Sequence, residues 1–233
     1  MSNTDPDYTY CRGLVREGDK DRFLADLFAP AEARPHLYAL QAFNFEIASV
    51  RHRVTEPMAG EIRLQWWREV LAGERPGEGS PVAAAVLDTV LRRELPGSAL
   101  LRIIDAREFD LAEEPMAELA GLETYAAETA GTLFQLSAQL LAGGEFAAYE
   151  AASRPAGVAY GLATMRREAV GARAWKRQAS LYLDDAMARL PALPAKARAA
   201  FLPLALVPLY LVRERTGQWR RQWALWRMAR AWR

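Results

Sequence analysis

Few residues in this chain carry the side chains on which catalysis is usually built. Its two histidines, His36 and His52, stand 16 residues apart and lack the Glu-x-x-His spacing with which facing helices ligate paired metals. Cys11 is the single cysteine, which excludes an internal disulfide and a cysteine-built zinc site and fits a reducing compartment. His52 lies in "FNFEIASVRHRV" (43–54), where Ser49, Arg51, His52 and Arg53 fill polar slots and no acid follows Glu46. Such a stretch is either a phosphate-binding patch or a solvated basic helix face. Acids gather in "EFDLAEE" (108–114) and at Asp184 with Asp185, where solvated faces or caps are the expected role. The G-x-x-x-x-G-K-[ST], G-x-G-x-x-G and G-x-S-x-G patterns do not occur, which argues against nucleotide and serine-hydrolase chemistry.

A second group of unusual residues lies at the C-terminal end. Residues 213–233 hold seven Arg against one Glu in a chain of formal charge +1, so the remainder is net acidic. On a helix over 216–233, "GQWRRQWALWRMARAWR" sets Trp219, Trp223 and Trp226 on one stripe, flanked or extended by Arg220, Arg227 and Arg230. Trp favours a boundary between apolar and wet surroundings, and Arg can snorkel or stack beside it. The stripe therefore either meets a membrane surface or hydrophobic protein partner, or packs back onto the rest of the chain. Nucleic acid is not an expected partner, because the basic charge is confined to one end without an accompanying motif.

The elements that must position these groups read as helices. With 233 residues, 51% hydrophobic and 25% charged, the chain can bury a core without staples, and a single domain over 1–233 is expected. Apolar spacing is helical almost throughout. "DKDRFLADLFAP" places Phe23, Leu24, Leu27 and Phe28 on one stripe and stops at Pro30; a helix starts near Pro35; "GEIRLQWWREVLAGE" puts Ile62, Trp66, Trp67, Val70 and Leu71 on one face, with both Trp expected in helix contacts. Further helices are expected over 81–95, 98–111, 115–142, 145–152, 155–188, 194–214 and 216–232. The longest apolar run, 199–212, is interrupted by Pro203 and Pro208 and falls short of the roughly 20 residues of a membrane span. The first residues carry acids and no apolar stretch, so the expected location is cytoplasmic, with peripheral contact at the inner face of a membrane.

The blocks "FLADLFAP", "LYALQAFNFEIASV", "IRLQWWREVL", "TAGTLFQL" and "LYLDDAMARL", in that order, resemble the squalene/phytoene synthase family over roughly residues 20–210. The resemblance implies an all-α fold of the isoprenoid (terpenoid) synthase type, a helical bundle around a central cavity. Active members join two prenyl diphosphates head to head with Mg²⁺, held by two Asp-rich motifs. Laid on this sequence, the first motif falls on Ala48, Ser49 and His52, none of them an acid, and the second on Thr164, Glu168 and Ala172. Glu168 is thus the one weak catalytic candidate and no metal ligand is assigned. The family's "AGTVG" pattern appears as "AGTLF", with Phe134 in place of a Gly. Within the matching blocks Tyr38, Phe43, Phe134 and Gln135, with Arg51, Arg166 and Arg167, are the positions that would meet a prenyl diphosphate or lipid.

Two functions follow from that likeness. In the first the chain is a catalytically degenerate member, similar to the branch containing mitochondrial assembly factors for respiratory complex I, which also departs from the Asp-rich motifs. It would bind a prenyl or lipid ligand or a hydrophobic partner and need no cofactor. In the second it is a working prenyl transferase in which Arg51, Arg166 and Arg167 take the diphosphate and Glu168 helps to hold Mg²⁺.

Overall fold

The computed structural model describes residues 5–54, 56–112, 118–165, 172–212 and 217–232, with the backbone alone for 172 and 173. Every regular element among them is helical. The helices fall into two compact units, Met1–Glu114 and Pro115–Arg233.

The first unit is built from α1 (Pro6–Gly18), α2 (Lys20–Asp26), α3 (Arg34–Arg53), α4 (Pro57–Leu71), α5 (Pro81–Arg93) and α6 (Gly97–Arg107), the last continued by a 3₁₀ turn over Glu108–Leu111. Local chemistry sets several starts. The Asp5 carboxylate accepts from Asp7 N and the Ser80 hydroxyl from Ala83 N, each followed by a proline whose fixed φ suits the first helical position. Helix α1 lies where no helix is expected from the sequence. It is nonetheless amphipathic, burying Tyr8, Cys11 and Val15 against α3 and α5.

Two core faces differ from those expected. On α4 the buried residues are Gly60, Leu64, Trp67 and Val70, whereas Ile62 is 65% exposed. Along α2 and the turn after it the expected stripe is only partly inward: Phe23 and Leu24 are half-buried and Leu27 and Phe28, just past the helix, are exposed, while Asp21, Arg22, Ala25 and Asp26 are buried. Phe43 and Trp67, both fully buried, meet edge to face at 5.0 Å and form the aromatic centre of this unit.

A polar knot ties α1 to α3 and α5. Tyr8 Oη donates to Asp88 Oδ2 at 2.8 Å and lies 2.9 Å from His36 Nδ1 and 3.0 Å from Thr89 Oγ1, itself 3.0 Å from the same ring nitrogen. Burial, reinforced by the nearby Arg93 charge, lowers the His36 pKa from 6.5 to about 4.

The second unit comprises α7 (Leu119–Ala126), α8 (Thr132–Ala142), α9 (Glu150–Thr164), α10 (Ala172–Arg189), α11 (Ala195–Arg198), α12 (Val207–Val212) and α13 (Gln218–Ala231). A π-turn over Ala127–Gly131 joins α7 to α8 and a 3₁₀ stretch over Ala199–Leu206 joins α11 to α12. Helix α8 ends where Gly143 and Gly144 take φ of 73° and 79°, the turn expected from the paired glycines. Helix α9 passes through Pro155, where a break is expected, and ends instead at Met165, whose backbone is extended. Pro155 removes one helical N–H, and buried Ala152, Ala156 and Ala159 hold the helix on either side of it.

Among the described residues Ala195–Val212, which contains the apolar run 199–212, is long and apolar enough, by length and composition alone, to cross a membrane, with mean hydropathy 1.5. Here its Phe201, Leu204 and Val207 belong to the core of the second unit. That core rests on one close crossing. A Cβ on Gly157 would overlap the backbone of Gly131, and one on Gly161 would approach Ala126 Cβ to 2.5 Å. Small residues on α9 thus let it lie directly on the π-turn.

Two predictions follow from these contacts. Gly157→Ala forces the α9 crossing apart and is expected to cost about 2–3 kcal/mol and lower Tm by about 5–10 °C. Gly13→Ala, whose new methyl meets nothing within 4 Å, should leave Tm unchanged or raise it, as thermal unfolding of both variants will register. For His36, the unfolded chain binds a proton that the folded chain refuses between pH 6.5 and about 4. Stability is therefore full above 6.5 and declines as pH falls towards 4; urea midpoints against pH should show this step in the wild type and not in His36→Gln.

Candidate functional site

Helix α3 carries the positions on which the first Asp-rich motif falls. Its core side holds Leu37, Leu40, Phe43, Ile47 and Val50, which leaves Ala48 and Ser49 half-buried and His52 exposed. Ser49 Oγ donates to Phe45 O at 2.6 Å, so its hydroxyl proton is used within its own helix. Glu46, the last acid of the helix, is held by Arg63 at 3.2 Å. Arg51, His52 and Arg53 are exposed in the last turn, where positive charge suits the carbonyl end of the helix dipole. The Arg53 guanidinium also lies over the Phe45 ring, 5.9 Å from its centroid.

Mg²⁺ is a hard cation that takes oxygen ligands, chiefly carboxylates, phosphate oxygens and water. A methyl group, a committed hydroxyl and an imidazole do not fit that demand. Among the described residues no three His, Cys, Asp or Glu side chains converge to hold a metal. The motif face of α3 is therefore a helix end stabilised by its own cations and aromatic neighbour, and no step through a metal is derived for it.

The other sequence-selected residues of the first unit are core members. Tyr38 stacks on Phe23 at 5.5 Å with the rings nearly parallel, and burial raises its phenol pKa. Phe43 packs on Trp67 and has no exposed surface. Trp66 and Trp67 part company. Trp67 is fully buried, while Trp66 reaches a groove of about 510 Å³ on α4, beneath the Arg63 guanidinium at 4.7 Å. Ile62, Gln65, Glu69 and Arg75 also line that groove, with Arg75 paired to Glu69 at 3.0 Å.

Sequence reasoning missed the buried polar group on α2. Arg22 Nη1 donates to Gln41 Oε1 at 3.1 Å and its Nε pairs with Asp19 at 3.3 Å. Burial drives the Asp26 carboxyl well above its ordinary pKa, and its Oδ2 has no hydrogen-bond partner. The charged residues at 21, 22 and 26 carried the signal, because polar positions spaced four and five apart define a face of their own.

In the second unit, Phe134 fills the interior where the family pattern has a Gly. It stacks on Phe201 at 5.5 Å, almost parallel, and meets Tyr160 edge to face at 5.8 Å. Gln135 is buried and donates to Phe146 O at 2.9 Å, which anchors the turn after α8. Thr164 Oγ1 donates back to Tyr160 O at 2.9 Å at the end of α9. Arg166, Arg167 and Glu168 lie outside the described residues. Within the acidic stretch 108–114, Arg68 bridges Glu108 to Asp105 and Arg107 pairs with Asp110 at 3.1 Å, while Glu113 and Glu114 lie outside the described residues; in the pair 184–185, Arg189 holds Asp185 at 2.9 Å. Cys11 is fully buried, and burial lifts its thiol pKa to about 12, so it is an inert core residue rather than a nucleophile.

The described geometry offers no constellation of acid, base and nucleophile, and comparisons with known proteins agree with the architecture rather than with a chemistry. The family described as squalene/phytoene synthase matches residues 15–178. NADH dehydrogenase (ubiquinone) complex I, assembly factor 6, from Rattus norvegicus is 36% identical over 180 residues, 76% of this chain and 53% of that protein. The protein of the same description from Homo sapiens is 34% identical over 161 residues, 68% of this chain and 48% of its own length. The chain thus spans about half the length of these curated relatives. Among solved structures, a dehydrosqualene synthase in complex with ligand superposes with a TM-score of 0.77 at 15% identity, covering 97% of this chain and 96% of the other. Squalene synthase HpnC from Alicyclobacillus acidocaldarius gives 0.66 at 18% identity, covering 97% and 94%. These superpositions establish the isoprenoid synthase fold, and the match over 15–178 establishes that the chain belongs to the squalene/phytoene synthase family.

Proposed function

We propose that this chain is a catalytically degenerate member of its family that acts by binding, in the assembly of respiratory complex I. The observation that carries the reading is the face of α3: where head-to-head synthases need clustered acids, Ala48, Ser49 and His52 stand, and Ser49 is already bonded within its helix. The description of its relatives as complex I assembly factors supplies the process. Ionising a prenyl diphosphate without bound metal leaves several kcal/mol of leaving-group stabilisation unsupplied, and each 1.36 kcal/mol costs tenfold in rate. A binding role makes no such demand.

The physical form of that role is an all-helical surface. Phe134, Phe201 and Tyr160 pack together in the second unit and Phe43 with Trp67 in the first, and the surface residues outside these clusters are what this reading assigns to a partner. Deleting the gene in the source organism is expected to lower membrane NADH–quinone reductase activity and the amount of assembled complex I on native gels, with squalene and phytoene levels unchanged. Re-expression of the wild-type chain should restore the complex. Normal complex I together with lost squalene or phytoene would replace this reading with that of a working prenyl transferase.

A further inference from the structure

Helix α13 exposes what a helix ordinarily buries. It rests on the 3₁₀ stretch 199–206 through Leu225, fully buried, and Ala224. At 3.6 residues per turn, Trp219, Trp223 and Trp226 fall within about 60° of arc on the opposite side. They are 67%, 54% and 48% exposed. The alternative in which this stripe packs back onto the chain is therefore not what the helix does.

Each exposed ring carries a cation. Arg220 lies 5.2 Å from the Trp219 ring centroid, Arg227 4.9 Å from Trp223 and Arg230 5.3 Å from Trp226. No acid interrupts Gln218–Ala231, although the chain outside 213–233 is net acidic. Three large aromatic faces left in water are costly, and an interface between headgroups and acyl chains is where indole rings are most favourably placed. Guanidinium groups held beside them offer paired donors that match phosphate oxygens.

We propose that α13 is a membrane-docking element that lies in the plane of a bilayer, with its Trp stripe at acyl-chain level and Arg220, Arg227 and Arg230 on the phosphates of anionic phospholipids. The chain already buries Leu225 and Ala224 on its own second unit, so docking needs no refolding of the helix. Charge complementarity selects an anionic leaflet, because α13 is uniformly basic. The inference stands on α13 alone and does not depend on a role in complex I assembly.

Sedimentation of the full chain with vesicles tests it, using phosphatidylcholine alone and phosphatidylcholine mixed with phosphatidylglycerol. Binding is expected to be at least about tenfold stronger to the mixed vesicles and to weaken with added salt. Trp219→Ala/Trp223→Ala/Trp226→Ala should lose binding to both, and Arg220→Gln/Arg227→Gln/Arg230→Gln should lose only the preference for the anionic lipid. All six side chains lie on the wet side, so both variants should keep the wild-type circular dichroism and Tm; whichever does so serves as the test. Quenching of wild-type tryptophan fluorescence by brominated lipid, reduced in the Trp variant, reports insertion of the rings. Vesicle binding unchanged by the Trp substitutions overturns the proposal, as does failure of the wild type to bind either vesicle, or single-stranded DNA binding that displaces it from them.

Discussion

Separating pyrophosphate from an allylic carbon places about two to three negative charges on the leaving group, and in a dry helical cavity carboxylate-held Mg²⁺ is what neutralises them. This requirement governs how the present chain must be understood. Helix α3 retains the scaffold for that task, with a continuous core side from Leu37 to Val50, yet presents Ala48, Ser49 and His52 where oxygens are demanded. Nor do nearby acids compensate: Glu46 is committed to Arg63, and Asp105 and Glu108 to Arg68. Once the acids are replaced, the same positions become free to serve the helix itself. Two cations in the last turn of α3, Arg51 and Arg53, stabilise its carbonyl end, a role that metal-binding carboxylates would oppose.

The fold survives this change because its stability rests elsewhere. In the second unit the crossing of α9 over the π-turn depends on Gly131 and Gly157 meeting backbone to backbone, and Phe134 locks into a stack with Phe201 beneath it. In the first, Phe43 on Trp67 and the knot of Tyr8, His36, Asp88 and Thr89 bind four helices without any residue of the motif face. Catalytic ligands and packing determinants are separable, so one set can be lost while the other is kept. Phe134 is packed inside the second unit, while the Trp66 groove and the Trp stripe of α13 lie on the surface.

Much of this was readable in the chain. The 3.6-residue spacing of apolar residues marked α3, α5, α6 and α13, and the paired glycines at 143–144 marked the end of α8. Periodicity failed where burial is polar or where a helix is short of large apolar residues. On α2 the buried residues are Asp21, Arg22, Ala25 and Asp26, so a stripe of large apolar residues, of which Phe23 and Leu24 are only half-buried, did not mark the buried face. Helix α1 buries only Tyr8, Cys11 and Val15, and its Asp5–Pro6 start was the available signal. Pro155 misled as a breaker because tertiary packing of small residues outweighed one missing hydrogen bond. For the site, residue types alone exposed the missing acids, whereas the fate of Ser49 and the outward aim of the Trp stripe needed coordinates.

Diphosphate release from farnesyl or geranylgeranyl diphosphate, followed with purified protein and Mg²⁺, bears on the proposed loss of chemistry without reference to any partner. Release at the rate of a protein-free blank, the same with and without EDTA, is the outcome required by a motif face of Ala48, Ser49 and His52. Release well above the blank that EDTA abolishes would contradict it and return the chain to the working synthases.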